Sequence, residues 1–246
     1  MYKNILFVSD NLALCKQIMP LINSFQDRTF QFSTSPFSDQ NLFSKELGLE
    51  VLVINMKDND TIEQVIKKYD LIISIHCKQI FPKSLIEAVK CINVHPGYNP
   101  INRGWYPQVF SIINNLPVGA TIHEIDEKLD HGKIIDRSFV EKSNIDTSLT
   151  LYQKITAKEI ELFAKNLENI LNNTYSSVHA EDEGNLFLRK DFNDLCYLDL
   201  NRRQTIGETI NHLRALTHGD FKNAFFIDPD TGKKVFVSIN LSLERL

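Results

Sequence analysis

Residues 5–11 read Ile-Leu-Phe-Val-Ser-Asp-Asn, a short apolar run that stops at three polar residues. A continuous apolar run of this length predicts a strand that is buried on both faces. The apolar residues that follow it have helix-like spacing, and they are Leu12, Cys15, Ile18, Met19 and Ile22. The chain therefore opens as strand, loop and helix, and Asp10 or Asn11 can cap that helix.

The same alternation of strand and helix recurs along the chain. Further strands are predicted at residues 51–54, 71–75, 91–95, 118–125 and 134–140, and helices at 62–68, 82–89, 105–114 and 149–171. Apolar strands that alternate with helices predict an α/β, Rossmann-like fold: a mostly parallel sheet with helices on both faces. No GxGxxG motif follows the first strand, which argues against dinucleotide binding.

The last quarter of the chain has a different character. Residues 172–185 are polar and are predicted to form a connection. A helix is predicted at 205–216, and two short apolar runs at 224–227 and 235–239 flank the turn Asp-Pro-Asp-Thr-Gly, which predicts a hairpin. We therefore divide the chain into a main domain, residues 1–185, and a small helix and hairpin extension, residues 186–246.

Composition limits the classes of function. The 246 residues are 43% apolar, and the net charge is 27 − 31 = −4, so the chain has globular composition and no global attraction to nucleic acid or anionic membrane. The four cysteines form no CxxC pair, and we expect them to be reduced. The N-terminal apolar run is too short for a signal segment or a membrane span, so we expect a cytoplasmic protein.

Asn93 and His95 lie two residues apart at the end of a predicted buried strand. Because side chains alternate along a strand, both point to the same face, and Pro96-Gly97 then leaves them at the rim where ligands bind. An imidazole can remove a proton from an attacking amine, and an amide N–H can stabilise an oxyanion, so the pair suits acyl transfer. The spacing fits a turn-capping asparagine and a structural histidine equally well.

The acidic loop 126–132 supplies candidate partners for His95. An imidazole base needs a carboxylate that orients it and stabilises its cation, and Asp130 and Asp126 are both candidates. His123 and His131 could also be catalytic, and nothing in their spacing favours them. No HxxxH or HxH pair comes with a third clear ligand, so we expect no metal site.

Two basic side chains are candidates for phosphate binding. Arg103 can bind a phosphate through two hydrogen bonds, and Lys78 can bind one as a point charge. We expect both to lie at strand ends that face one rim, although each could be an ordinary surface charge. Trp105, the single tryptophan of the chain, lies beside Arg103 in the sequence.

The stretch Cys91-Ile-Asn93-Val-His95-Pro-Gly97, followed by Leu129-Asp130-His-Gly132, resembles the 10-formyltetrahydrofolate-dependent formyltransferase superfamily. That superfamily carries Asn-x-His and then an Asp-x-Gly loop, and here the separation is 130 − 95 = 35 residues. The resemblance implies that His95 is the base or proton shuttle, that Asn93 stabilises the tetrahedral intermediate and that Asp130 supports the histidine. It also implies that the loop cradling the pterin of the donor includes His123, Glu124, Asp126 and Gly132.

Within the superfamily the chain is most similar to bacterial sugar N-formyltransferases, through residues 74–82, 93–134 and 213–226. The resemblance implies formyl transfer from 10-formyltetrahydrofolate to a dTDP-linked amino-dideoxysugar used in O-antigen, lipopolysaccharide or another surface glycan. The acceptor is best matched by dTDP-4-amino-4,6-dideoxyglucose, with the amine at C-3 or C-4 left open. The implied pyrophosphate contacts are Ser9, Asn11, Lys78 and Arg103, and the implied base contact is Trp105 or Phe221. The resemblance further implies a catalytic domain at 1–185 and a homodimer formed through 186–246.

Three alternatives share part of these features. A methionyl-tRNA formyltransferase should carry a basic RNA-binding tail, whereas residues 186–246 contain nine Lys/Arg against eight Asp/Glu, so we expect no nucleic-acid partner. A glycinamide ribonucleotide formyltransferase should lack the C-terminal extension and the stretch 99–107. A catalytically inactive nucleotide-sugar or folate binding module is disfavoured because all three catalytic residue types are present.

Overall fold

The computed structural model describes residues 1–244. Within these residues the elements are, in chain order, β1 (Asn4–Ser9), α1 (Leu12–Ile22), β2 (Thr29–Thr34), α2 (Gln40–Leu47), β3 (Val51–Val53), α3 (Asn59–Lys68), β4 (Leu71–Ile75), α4 (Lys83–Ala88), β5 (Lys90–His95), β6 (Arg103–Gly104), α5 (Pro107–Ile113), β7 (Gly119–Glu124), β8 (Ile134–Phe139), α6 (Ser148–Asn172), β9 (Leu186–Phe187), α7 (Arg189–Cys196), α8 (Ile206–Leu216), β10 (Phe225–Ile227) and β11 (Lys234–Phe236).

The main sheet has the strand order β3-β2-β1-β4-β5-β7-β8. The strands from β3 to β5 run parallel, and β7 and β8 are antiparallel additions at one edge. The predicted α/β fold with a mostly parallel sheet and a C-terminal helix and hairpin is confirmed. The winding reverses between β1 and β4, and in such sheets ligands bind at the carboxyl ends of the strands near that reversal.

The central strands are buried on both faces, as their apolar runs predict. Ile5 and Phe7 of β1 pack in the layer that includes α1 and α6, whereas Leu6 and Val8 pack in the opposite layer with α3 and α4. Full burial of one such side chain contributes about 1.5–3 kcal/mol. The sheet is therefore held rigidly between two helical layers, and the polar residues at its carboxyl edge are fixed relative to one another.

The C-terminal residues share a hydrophobic cluster with the main sheet's helices. Leu216 of α8 and Ala224 pack with Val109 and Phe110 of α5 and with Leu151 of α6. In addition, β9 pairs in parallel with β6. The division into 1–185 and 186–246 remains a prediction, and the two parts share this core.

The structure differs from the prediction in several elements. The strands β2, β6 and β9 and the helices α2 and α7 were not predicted. The helix predicted from Trp105 begins at Pro107, because Trp105 continues the extended segment that pairs with Phe187. Arg103 was expected at a strand end of the main sheet and instead belongs to the separate two-stranded β6–β9 sheet.

Within residues 1–244, none of the helices combines the length and the apolar content that a bilayer crossing requires.

Candidate active site

The carboxyl end of β5 places Asn93 and His95 in a buried polar cluster with Asp130. Asn93 Nδ2 donates to Oδ1 of Asp130 over 3.0 Å, and His95 Nδ1 lies 3.6 Å from Oδ2 of the same carboxylate. The side chains of His95 and Asp130 are 5% and 10% exposed. The structure therefore brings together the three residues that the sequence motif groups.

A backbone carbonyl determines which nitrogen of His95 carries hydrogen. Nε2 lies 2.9 Å from the carbonyl oxygen of Asn102, which can only accept, so Nε2–H is the donor. In the neutral ring the lone pair is then on Nδ1, the atom that faces Asp130. Gly97 makes this arrangement possible, because a Cβ at that position would lie 2.4 Å from Nε2 and 2.5 Å from the Asn102 oxygen.

The protonation states follow from burial and from the neighbouring charges. Desolvation lowers the pKa of His95 below its ordinary value, and the Asp130 carboxylate opposes this only in part. Burial by itself would raise the pKa of Asp130, but the imidazoles of His95 and His123 and the N–H of Gly104 outweigh it, so the Asp130 pKa lies well below its usual range. At neutral pH the site holds a neutral imidazole beside a carboxylate.

The loop segments around Asp130 hold the carboxylate in place. Asp130 has a left-handed backbone, with φ of 47°. Its Oδ2 accepts the N–H of Gly104 over 3.0 Å, and its backbone oxygen accepts Nδ2 of Asn99 over 2.9 Å. A left-handed backbone conformation is unfavourable for a residue other than glycine. These hydrogen bonds stabilise that conformation at Asp130, and it directs the carboxylate toward His95.

His123 belongs to the same cluster. Its Nε2 lies 3.4 Å from Oδ1 of Asp130 and 3.3 Å from Nδ2 of Asn93, and its Nδ1 donates to the carbonyl of Glu124 over 2.7 Å. β7 pairs with β5 so that His123 lies directly opposite Asn93. His123 thus contacts two of the three motif residues.

The remaining residues expected around the pterin have structural contacts. Asp126 accepts from His131 Nδ1 over 2.7 Å, so the alternative pairing of Asp126 with His95 is not formed. The Glu124 carboxylate accepts from the Tyr175 hydroxyl over 3.0 Å. Gly132 lies so close to the backbone of Glu124 that a Cβ would lie 1.9 Å from its oxygen. These contacts shape the loop that carries Asp130.

A cavity of about 160 Å³ opens beside Asp130. Its lining includes Asn99, Arg103, residues 130–132 and residues 179–183. Arg103 is 7% exposed, bonds Glu183 over 3.4 Å and lines this cavity together with Asp130. Asn99 Oδ1 and Arg103 Nε are buried and have no hydrogen-bond partner among the described residues.

A second group of polar residues follows β1 and β4. The Ser9 side chain is buried and its Oγ accepts the N–H of Asn11 over 3.1 Å, so it forms the turn after β1. Asn11 caps α1 through Oδ1, and its Nδ2 donates to the Tyr152 hydroxyl over 2.9 Å. Lys78 donates its backbone N–H to Asp10, and the residue is exposed. The structure thus places Asn11 and Lys78 near the reversal in strand order.

The two candidate aromatic contacts lie in different surroundings. Phe221 is 72% exposed, and its ring lies 5.6 Å from that of His218, which is 5.5 Å from the ring of Tyr152. Trp105 is half-buried, and its ring lies 5.7 Å from the guanidinium of Arg189 in α7. Aromatic contacts therefore connect Phe221 with Tyr152, the residue that bonds Asn11, whereas Trp105 packs beside α7.

Several residues of the site were missed at the level of sequence. Asn102 is fully buried, and its backbone carbonyl orients His95. Gly97 leaves room for that contact, and Gly104 donates its backbone N–H to Asp130. Asn99 holds the Asp130 loop. The stretch 99–107 served in the sequence analysis only as part of the family resemblance. Contacts made by backbone atoms do not depend on residue type, so the sequence does not show them.

The arrangement can take a proton from an amine and stabilise an oxyanion. Nδ1 of His95 can accept a proton beside a carboxylate that stabilises the resulting imidazolium, and the Asn93 amide supplies an N–H close by. Within residues 1–244, no group of three His, Cys, Asp or Glu side chains is placed to hold a metal ion.

Comparison with known proteins identifies the family to which the chain belongs. The family model described as "Formyl transferase" matches residues 34–167, and the model described as "N-formyltransferase dimerization C-terminal domain" matches residues 191–243. The chain belongs to the formyl transferase family.

Within that family, the chain is similar to enzymes that act on sugars. It is 45% identical over 207 residues to the dTDP-4-amino-4,6-dideoxyglucose formyltransferase of Mycobacterium tuberculosis, covering 84% of this chain and 88% of that protein. The crystal structure of a 4-N formyltransferase from Francisella tularensis is 44% identical, with a TM-score of 0.93 over 98% of this chain and 99% of that one. A sugar 3-N-formyltransferase solved with dTDP and 5-N-formyltetrahydrofolate is 25% identical, with a TM-score of 0.68 over 87% of this chain and 79% of that one.

Proposed function

We propose that this protein transfers the formyl group of 10-formyltetrahydrofolate to the 4-amino group of dTDP-4-amino-4,6-dideoxyglucose. The observation that carries the proposal is the cluster of Asn93, His95 and Asp130, with a neutral imidazole beside an ionised carboxylate. The M. tuberculosis and F. tularensis relatives support the 4-amino position. The product would enter a surface glycan such as an O-antigen, and we expect the reaction to take place in the cytoplasm.

The reaction would proceed by addition and elimination at the formyl carbon. The sugar nitrogen bonds to that carbon, and the carbonyl becomes an oxyanion that the Asn93 amide stabilises. His95 Nδ1 accepts the proton that the nitrogen loses, and Asp130 stabilises the imidazolium. The bond between the formyl carbon and N10 then breaks, and the proton passes to N10 of the departing tetrahydrofolate. Atoms and charge balance without a metal or a redox partner.

The cavity beside Asp130 is our candidate for the pterin site. A pterin carries both hydrogen-bond donors and acceptors on one planar ring. The unpartnered Asn99 Oδ1 can accept from such a ring, and the unpartnered Arg103 Nε can donate to it. Because the cavity borders Asp130, a pterin bound there would place N10 on the side of His95. Arg103 is therefore assigned to the donor rather than to the pyrophosphate.

The acceptor would lie along the carboxyl ends of β1 and β4. Asn11 and Lys78 are at the reversal in strand order, where open α/β sheets bind ligands, and they are our candidates for the diphosphate. Phe221 is the stronger candidate for stacking on the thymine, since it is exposed and is linked to this side by His218 and Tyr152. Ser9 would act by shaping the turn.

We further propose a homodimer formed through the C-terminal region. The segment matched by the dimerization model exposes large apolar side chains, which include Tyr197, Leu200, Ile206, Phe236 and Leu243. Apolar side chains exposed in such number within one short segment are typical of a subunit interface. The two copies would be related by a twofold axis, the commonest symmetry of homo-oligomers.

The test is direct turnover. The purified protein is incubated with 10-formyltetrahydrofolate and dTDP-4-amino-4,6-dideoxyglucose, and the nucleotide sugar is followed by mass spectrometry. We expect a product heavier by one formyl group in place of one hydrogen, and no product with His95→Ala. A dTDP-3-amino sugar, glycinamide ribonucleotide and methionyl-tRNA serve as alternative acceptors. Turnover of one of these alone, or a failure to formylate any acceptor including dTDP-4-amino-4,6-dideoxyglucose, would contradict the proposal.

A further inference from the structure

A chain of three polar side chains lies next to the cluster of Asn93, His95 and Asp130, and the reaction above does not use it. His76 Nε2 lies 2.9 and 3.0 Å from the two carboxylate oxygens of Glu159. His76 Nδ1 lies 3.2 Å from the hydroxyl of Tyr152. A carboxylate can only accept, so Nε2–H donates to Glu159. In the neutral ring Nδ1 accepts from the Tyr152 hydroxyl, and Asn11 Nδ2 lies 3.4 Å from the same nitrogen.

Strand pairing places His76 beside His95. β4 and β5 are parallel, and the last paired residues are Ile75 and Val94. His76 is the residue after β4 and His95 is the last residue of β5, so the two residues follow neighbouring strands that lie about 4.8 Å apart. His76 has a left-handed backbone, with φ of 53°, an uncommon conformation for a histidine that turns the chain as it leaves the sheet.

Glu159 is the most deeply buried of the three side chains. Glu159 is 1% exposed and His76 13% exposed, and Tyr152 is half-buried. Tyr152 and Glu159 are seven residues apart in α6, so they lie on one face of that helix, above the ends of the strands. The chain therefore runs from a fully buried charge to a hydroxyl at the groove between β1 and β4.

Stability alone does not account for the buried carboxylate. Within residues 1–244, the side-chain hydrogen bonds to Glu159 come from His76. A buried charge with one partner is costly, and an apolar residue of similar size is often equally stable or more stable. Its position is explained if the carboxylate fixes the ring of His76 and, through it, the orientation of the Tyr152 hydroxyl.

The Tyr152 hydroxyl retains capacity to bind a ligand. Its oxygen accepts from Asn11 Nδ2 over 2.9 Å, and its hydrogen points to His76. A hydroxyl oxygen has two lone pairs, so one of them remains to accept another hydrogen bond. Burial and the charge of Glu159 raise the pKa of Tyr152 to about 12, so the group remains a hydroxyl at neutral pH.

We propose that Tyr152 binds the hexose of the acceptor, accepting a hydrogen bond from a ring hydroxyl, and that His76 and Glu159 position it. This inference rests on the proposed function and adds the residue that recognises the sugar. Residues at the ends of three neighbouring strands would then bind three parts of the acceptor. The amine lies at the end of β5 by His95, the hexose at the end of β4 by Tyr152, and the diphosphate at the end of β1 by Asn11. The strand spacing of about 4.8 Å matches the width of a hexose ring.

The primary test is Tyr152→Phe. We expect the KM for dTDP-4-amino-4,6-dideoxyglucose to rise about tenfold, as for loss of one hydrogen bond, with the KM for 10-formyltetrahydrofolate unchanged. Calorimetry should show weaker binding of the dTDP-sugar and unchanged binding of dTDP, which has no hexose. Tyr69→Phe is the matched control, because it removes the same hydroxyl from a tyrosine that precedes β4, at the end of the strand away from the proposed site. Tyr69 is buried, and its hydroxyl has no hydrogen-bond partner among the described residues.

The positioning role is tested at Glu159. Glu159→Gln keeps the volume and an oxygen that can accept from His76, so we expect a KM for the nucleotide sugar within about threefold of the wild type. Glu159→Leu removes the acceptor and should match the effect of Tyr152→Phe. A purely structural Glu159 would instead lower kcat and the melting temperature together and leave the ratio of dTDP-sugar to dTDP affinity unchanged.

The outcomes separate this inference from the proposed function. If the wild type transfers no formyl group to the sugar, the proposed function fails, while the binding comparison between the dTDP-sugar and dTDP still tests Tyr152. If Tyr152→Phe weakens dTDP as much as the dTDP-sugar, the hydroxyl contacts the diphosphate and the inference is overturned. Unchanged affinity for both ligands also overturns it.

Discussion

Gly97→Ala is the substitution that most directly tests the geometry of the base. The new Cβ would lie 2.4 Å from His95 Nε2 and 2.5 Å from the carbonyl oxygen of Asn102, the two atoms that share the hydrogen bond defining the tautomer. An ordinary contact needs about 3.4 Å, so one of these groups must shift by about 1 Å. A misplacement of that size costs about 100-fold in rate. This corresponds to about 2.7 kcal/mol of transition-state stabilisation.

The assay measures kcat and both KM values together with thermal unfolding. We expect kcat to fall about 100-fold and both KM values to change little, because the atoms that the new Cβ meets belong to His95 and Asn102 and not to the residues proposed to bind either substrate. Overpacking should lower the free energy of unfolding by about 1–3 kcal/mol. Gly207→Ala is the control, since a Cβ there meets only one side-chain atom, at 4.0 Å, and the residue lies in α8. A folded Gly97→Ala protein with wild-type kcat would refute the tautomer argument.

Four further predictions follow from the site and the C-terminal region. Asp130→Asn should lower kcat on the order of 10³- to 10⁴-fold with intact folding, because a neutral amide cannot stabilise the imidazolium that forms when His95 accepts a proton; a loss below tenfold would contradict its role. Because burial lowers the pKa of His95, the acidic limb of kcat/KM should lie below about pH 6.5. The free energy of unfolding should also fall as the pH drops below about 6.5, since the unfolded chain takes a proton that the buried ring does not, and His95→Gln should flatten this slope in denaturant titrations. Arg103→Lys should raise the KM for 10-formyltetrahydrofolate severalfold and leave that for the nucleotide sugar unchanged, because Lys lacks the unpartnered Nε–H that we assign to the pterin; the opposite pattern in steady-state kinetics would return Arg103 to the diphosphate. Ile206→Glu should shift the protein from dimer to monomer in light scattering, and an unchanged mass would exclude the exposed side of α8 as the interface.

Continuous apolar runs made the centre of the fold predictable. β1, β4 and β5 are buried on both faces, and their sequences show it without reference to other parts of the chain. β2 was missed because its sequence, Thr-Phe-Gln-Phe-Ser-Thr, has no continuous apolar run like those of β1 and β4 and is buried mainly at its end. β6 and β9 are two residues long, and their pairing depends on a contact between segments more than eighty residues apart.

Residue type and spacing predicted part of the site. Asn93, His95 and Asp130 lie together as the motif indicates, and His123 joins them because β7 pairs with β5 in a register that the sequence does not reveal. Arg103 belongs to β6 and not to a strand of the main sheet, because the segment after β5 pairs with β9. The His76 and Glu159 pair was missed as well, since the two residues are 83 positions apart and each is unremarkable alone.

The pairing of β6 with β9 joins the C-terminal region to the carboxylate of Asp130. Gly104 donates its N–H to Asp130, and the neighbouring Trp105 donates to the carbonyl of Phe187, just before α7. Movement of the C-terminal region at the subunit interface would therefore reach Asp130 through one short strand. In the proposed dimer, assembly and substrate binding should be thermodynamically coupled, so that dilution below the dissociation constant of the dimer weakens substrate binding and saturating substrates strengthen the dimer.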